Sequence, residues 1–141
     1  MLLGNTWRLD LASHVADAVN CRVNVPTPAA FILHKGLSFK ARRDTLKKEK
    51  DLYYVFYIVD GFPEWANWIR LDLPGLASRT PAWFRQCAAN LDQAFSTPGS
   101  AGVDALLRQR PETAYPGMSP DQFRQYAWGA MRELVGTMMV G

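Results

Sequence analysis

The sequence predicts a mainly α-helical, bundle-like domain with one or two short strands near its N-terminus. Three observations carry that expectation. Thr27-Pro28, Thr80-Pro81 and Ser119-Pro120 each place an N-capping hydroxyl before a proline, and proline suits the first helical position because its missing N–H would have no partner there anyway. Behind these starts, apolar residues recur at three- and four-residue intervals, as in Phe84, Cys87, Ala88, Leu91 and Phe95. Apolar–polar alternation at Val23-Asn24-Val25 gives a short strand.

The chain has 141 residues, enough for one domain with a core of its own. It divides into a lead-in and strand at 1–27, a helical core with a basic hairpin at 28–95, and C-terminal helices at 96–141. Hydrophobic content of 48% and charged content of 21% fit a soluble globular class. No apolar run approaches the ~20 residues of a membrane span, and no signal-peptide pattern opens the sequence. Cys21 and Cys87 form neither a disulfide framework nor a metal motif, so a reducing cytoplasm is the expected setting. There is no P-loop, no Rossmann glycine pattern, no nucleophile elbow, no internal repeat and no low-complexity tract.

Residues 1–18 read as a poorly framed helix or a loop and helix. Leu2, Leu3, Trp7, Leu9 and Leu11 are apolar for so early a segment and need a covering surface, as in a fragment or a chain that associates with another or with itself. On a helix, Asp10, His14 and Asp17 would share one face; a polar outer face and a metal site are both readings of that spacing. Pro26 ends the strand by biasing Val25 toward extended backbone. A helix is then expected from Pro28 to about Arg42. In it Phe31, Lys35 and Phe39 lie four apart and stack on the face toward the core. Lys35 there is either a snorkelling side chain with its head in water or an ammonium held at a cleft rim to meet an anion. His34 beside it reads as a packing or capping residue.

Asp44 or Thr45 caps the next helix, whose first turn carries Lys47, Lys48, Glu49 and Lys50. Lysines there oppose the helix dipole, which favours anions at that end, so they read as serving a partner. Asp51 lies four before Val55 and so near a buried face. A carboxylate in that place needs a cation or a donor, and Lys35 is the candidate if the two helices form a hairpin. Gly61-Phe62-Pro63 stops this helix. Residues 64–71 form another, burying Trp65, Trp68 and Ile69, with a break at Leu73-Pro74-Gly75. The helix opened by Thr80-Pro81 runs to about Phe95 with Trp83 in its apolar stripe. Tryptophans at this spacing are core residues or a base-stacking platform. Residues 96–102 connect to a short helix at 103–107, then a turn-rich loop at 112–120. In the last helix Phe123, Tyr126, Ala127, Ala130, Met131 and Leu134 mark the buried face, and 136–141 is a frayed tail.

Charge is concentrated in one place. Lys35, Lys40, Arg42, Arg43, Lys47, Lys48 and Lys50 face only two acids, Asp44 and Glu49, between 35 and 50, for a local charge of +5 against +3 for the whole chain. Such a patch suits the phosphates of a nucleotide or nucleic acid, or is simply a solvated turn.

The run VPTPAAFILHKGLSFKARRDTLKKEKDLYYVF, from Val25 to Phe56, resembles the C-terminal half of the nucleotidyltransferase-fold proteins related to the AbiEii-type toxins of bacterial abortive-infection systems, and the bacterial nucleotidyltransferase-fold family of uncharacterised proteins. The shared pattern is Val25-Pro26-Thr27-Pro28, His34-Lys35, the basic pair Arg42-Arg43, and Lys50-Asp51, and it covers about a quarter of the chain. The resemblance implies that Lys35 and Asp51 are active-site residues, Lys35 contacting a triphosphate and Asp51 orienting it or acting as a base. It implies that Arg42, Arg43, Lys47, Lys48 and Lys50 bind the nucleotide or an RNA acceptor. Mg²⁺ and a nucleoside triphosphate would be bound only by the complete fold. The family's Gly-Ser and D-x-D motifs do not precede this stretch; Gly4-Asn5 and Asp10 are what stands there. The expectation is an incomplete nucleotidyltransferase, inactive alone and completed by a missing N-terminal half or partner chain. The alternative is a non-catalytic helical module that binds nucleic acid or an acidic partner through the patch from Lys35 to Lys50.

Overall fold

The computed structural model describes residues 4–14 and 21–140. Strand β1 (Thr6–Asp10) pairs antiparallel with β2 (Arg22–Pro26), setting Trp7 opposite Val25 and Leu9 opposite Val23. This corrects the expectation of a helix at the N-terminus. The alternation of Trp7 and Leu9 with Thr6, Arg8 and Asp10 has the period of two that a strand requires, and β2 supplies the partner. Asp10 ends β1 by accepting a hydrogen bond from the Ala12 N–H at 3.1 Å, which starts a short 3-10 turn at Leu11–Ser13. Asp10 and His14 therefore share no helical face, and Asp17 lies outside the described residues. Trp7 finds its covering surface within the chain, meeting Trp65 edge-on at 6.3 Å and Trp68 at 6.0 Å. The Asn5 side chain adds a second tie by donating to Thr27 and Asp72 and accepting from Arg79.

Six α-helices follow among the described residues, and the fold is mainly α as the sequence predicts. Helix α1 (Pro28–Ser38) starts where Thr27 accepts from the Ala30 N–H at 3.3 Å, and a 3-10 turn at Phe39–Ala41 tightens its end. Helix α2 (Thr45–Gly61) starts at Asp44, whose carboxylate accepts from the Lys47 N–H at 3.0 Å. Helix α3 (Trp65–Arg79) runs unbroken through Pro74. Proline there removes one N–H, but Ile69, Leu73 and Leu76, spaced i, i+4, i+7, are buried on both sides of it and anchor both halves of the helix in the core. Helices α4 (Pro81–Ala94) and α5 (Ala101–Gln109) lead to α6 (Pro120–Val140). Ser119 and Gln122 open α6 with a reciprocal capping box: the Ser119 N–H donates to Oε1 of Gln122 at 2.8 Å, and the Gln122 N–H to Oγ of Ser119 at 3.2 Å. Helix α6 continues through the segment expected to fray, because Val135 and Met138 are buried.

Helix α1 lies at the centre and touches α2, α3 and α4. Its small residues allow this. Ala29, Ala30 and Gly36 are buried, and a β-carbon on Gly36 would come within 2.4 Å of the Cys87 Sγ. Asn90 of α4, also buried, donates to the Gly36 carbonyl at 2.9 Å. A second close approach joins α4 to α5, where a β-carbon on Gly102 would meet the Ala94 carbonyl oxygen at 2.3 Å. Three side chains assigned to the core from periodicity lie partly outside it: Trp68 and Trp83 are 54% and 50% exposed, and Tyr126 presents its hydroxyl at the surface. None of the described helices is long and apolar enough to cross a membrane.

Candidate anion-binding site

The connection from α1 to α2 folds three donors around one carboxylate. Asp51, on the second turn of α2, is 4% exposed. The Lys35 Nζ donates to its Oδ1 at 2.6 Å, the Arg42 Nε to its Oδ2 at 2.9 Å, and the Ser38 hydroxyl to Oδ2 at 3.2 Å. Lys35 and Ser38 are three apart on α1 and so share the face toward α2. Arg42 reaches back from the extended backbone that follows the 3-10 turn. Burial pushes the Asp51 carboxyl up, but the hydrogen bonds from Lys35 and Arg42 outweigh it and hold the group below its ordinary value of 3.8. Lys35 also lies over the rings of Phe31 at 5.4 Å and Tyr54 at 5.5 Å. Its ammonium is thus held inside the hairpin by one carboxylate and two π faces rather than reaching freely into water. The cluster of Lys35, Arg42 and Asp51 keeps a formal charge of +1.

The structure brings Lys35, Asp51 and Arg42 together and leaves the other candidates outside that contact. Arg43, Lys47, Lys48 and Lys50 are exposed, and among the described residues none forms an ion pair. Lys40 donates to Gln93 of α4. Glu49, the one acid within the first turns of α2 that faces away from the hairpin, is taken by Arg108 at 2.6 Å and Gln109 at 3.0 Å. The Arg108 hydrogen bond holds its carboxyl below the ordinary range. The local acids are therefore spent: Asp44 caps α2, Glu49 binds α5, and Asp51 is enclosed. What remains at the surface of this turn is positive.

Sequence reasoning missed Ser38 and Tyr54, whose parts depend on the angle between α1 and α2. It also missed Asp60, at the end of α2. The hydroxyls of Tyr115 and Tyr126 both donate to the Asp60 carboxylate. Hydrogen bonding to Asp60, with burial, raises the Tyr126 phenol to about 12. Tyr115 sits at a positive φ of 58°, a conformation rare for an aromatic residue. This group edges a cleft of about 510 Å³ lined in part by Ile69, Arg70, Tyr126 and Glu133. The partners are 55 and 66 residues from Asp60, beyond any local spacing signal.

Among the described residues no three His, Cys, Asp or Glu side chains come together to hold a metal ion. Mg²⁺ asks for carboxylate oxygens, and those of Asp51 are occupied by two cations and a hydroxyl. The residues of this site do not fit that ion. Compared with protein-family models, curated proteins and solved structures, the chain finds no match.

Proposed function

We propose that this chain is a helical module that binds the phosphates of a nucleic acid through the turn between α1 and α2. One observation carries the reading: Arg43, Lys47, Lys48 and Lys50 are exposed without an acidic partner among the described residues, on a turn whose own acids are all engaged. Asp51 holds this turn to α1, so the cations project from a fixed support and lose less freedom on binding. A lysine-rich first turn opposes the helix dipole, and a bound polyanion relieves that opposition.

The test is RNA binding by fluorescence anisotropy across a salt series. Four contacts on a single strand predict a slope of log K against log salt near about −3. Replacing Arg43, Lys47, Lys48 and Lys50 together with Gln flattens the slope and weakens binding at least about 100-fold at low salt. Binding that ignores both salt and these residues refutes the reading.

A second reading is favoured by one contact. Lys35 and Asp51, the two active-site positions that the nucleotidyltransferase resemblance implies, meet at 2.6 Å. On that reading the hairpin is the helical half of a triphosphate site, completed by another chain or segment. Calorimetric titration with ATP, GTP, CTP and UTP in Mg²⁺, beside Lys35→Ala, separates the two. Triphosphate binding lost in the variant supports the half-site. RNA binding that survives in the variant, with no triphosphate binding by the parent, leaves the module.

A further inference from the structure

Resting on the phosphate-binding reading, we infer that the ligand is a single-stranded nucleic acid whose bases stack on Tyr54 and Tyr57. Lys47, Lys50, Tyr54 and Tyr57 lie at i, i+3, i+7 and i+10 of α2, which puts all four on one face. That face is open: the lysines are exposed, and the tyrosines are 44% and 49% exposed. At 1.5 Å per residue the stripe extends about 15 Å, room for two or three nucleotides of an extended strand. Cations occupy one end and aromatic rings the other.

The rings are held before any ligand arrives. Tyr54 has the Lys35 ammonium 5.5 Å from its centroid. Tyr57 packs against Tyr53 with the ring planes 28° apart and centroids at 6.3 Å, and meets Phe62 edge-on at 5.3 Å. Fixed aromatic surfaces beside a basic groove are the means by which single strands are bound without reading sequence. A duplex keeps its bases stacked inside and offers this stripe phosphates alone. An acidic peptide would likewise engage the lysines and leave the rings unused.

The decisive comparison is anisotropy with an oligouridine of about 12 nucleotides, within the site sizes of single-strand grooves, beside an RNA duplex with the same number of phosphates and a polyglutamate of matched charge. The parent chain is expected to prefer oligouridine over both competitors. Tyr54→Leu and Tyr57→Leu each weaken oligouridine binding about tenfold, the order expected for a lost base–aromatic contact, and leave duplex binding unchanged. Tyr54→Phe and Tyr57→Phe keep the ring and bind as the parent does, which shows that stacking rather than the hydroxyl or the fold is being read. Equal binding of oligouridine and duplex by the parent overturns the stacking inference while the phosphate reading stands. Preference for polyglutamate, or binding of no nucleic acid, overturns both.

Discussion

Removing Asp51 and protonating it expose the same dependence in two ways, because its carboxylate is the shared acceptor for Lys35, Arg42 and Ser38. Asp51→Ala leaves the Lys35 ammonium largely enclosed without its anion, and is expected to destabilise the fold by about 2–4 kcal/mol, below a fully buried pair because Arg42 stays partly in water. Urea unfolding measures the loss. The folded-state carboxyl lies below its ordinary value of 3.8, so its contribution is fully present above that value and falls away as pH drops through the lower folded value. Asp51→Asn should therefore flatten the acid limb of stability against pH, read as melting temperature between pH 6 and pH 2, about the range over which carboxylates titrate. The cysteines differ as sharply. Cys87 is buried, and burial raises its thiol to about 12, whereas Cys21 is exposed. A thiol reagent near neutral pH should label Cys21 alone in the native chain and both cysteines in denaturant, counted by mass spectrometry. The Lys35–Asp51 pair was legible because both residues occupy core-facing helical positions on either side of a basic turn. Ser38 and Arg42 were less so, since a 3-10 turn decides whether they reach the carboxylate.

At the scale of elements, two glycines set how closely helices approach. Gly102→Ala drives a β-carbon into the Ala94 carbonyl, which is backbone and cannot rotate away, and Gly36→Ala drives one into the enclosed Cys87 sulfur. Each substitution should cost about 1–3 kcal/mol by overpacking, measurable as a lowered denaturation midpoint with an unchanged slope. Pro74 should behave oppositely. It is exposed within an otherwise continuous α3, so Pro74→Ala restores the missing N–H donor without disturbing the core. A gain of at least about 1 kcal/mol is expected, seen as a melting temperature higher by a few degrees. Proline-opened starts made α1, α4 and α6 legible in the sequence, and Thr27 and Ser119 cap as expected; Thr80 does not, because its hydroxyl donates at 2.9 Å to the Leu76 carbonyl and closes α3 instead of opening α4. Leu73-Pro74-Gly75 misled because local breakers were weighed without the buried Ile69, Leu73 and Leu76 that override them. The segment at 136–141, expected to fray, is likewise helical as far as Val140, where burial of Val135 and Met138 decides it.

For the molecule as a whole, helical period and turn residues were enough to give the mainly α class, because each helix announces itself within its own residues. The strand pair was half legible. β2 alternates visibly, but β1 becomes a strand by pairing with residues about 16 positions away across a connection, a relation that a single pass along the chain does not contain. The same limit applied to the Asp60 cluster and to the stripe on α2, where the orientation of a helix decides what is open. Beside the Asn5 bonds and the direct run of β2 into α1, the strand pair meets α3 through Trp7, whose ring stands nearly perpendicular to both Trp65 and Trp68, at 79° and 80°. Three indoles so close and so oriented couple optically, and should give the ultraviolet circular dichroism a paired band that scattered tryptophans lack. Trp7→Phe should abolish that band while leaving the helical signal intact. During denaturation the band then times the departure of the strands from the bundle separately from the melting of the helices, so the chain carries its own gauge of whether those two events are one.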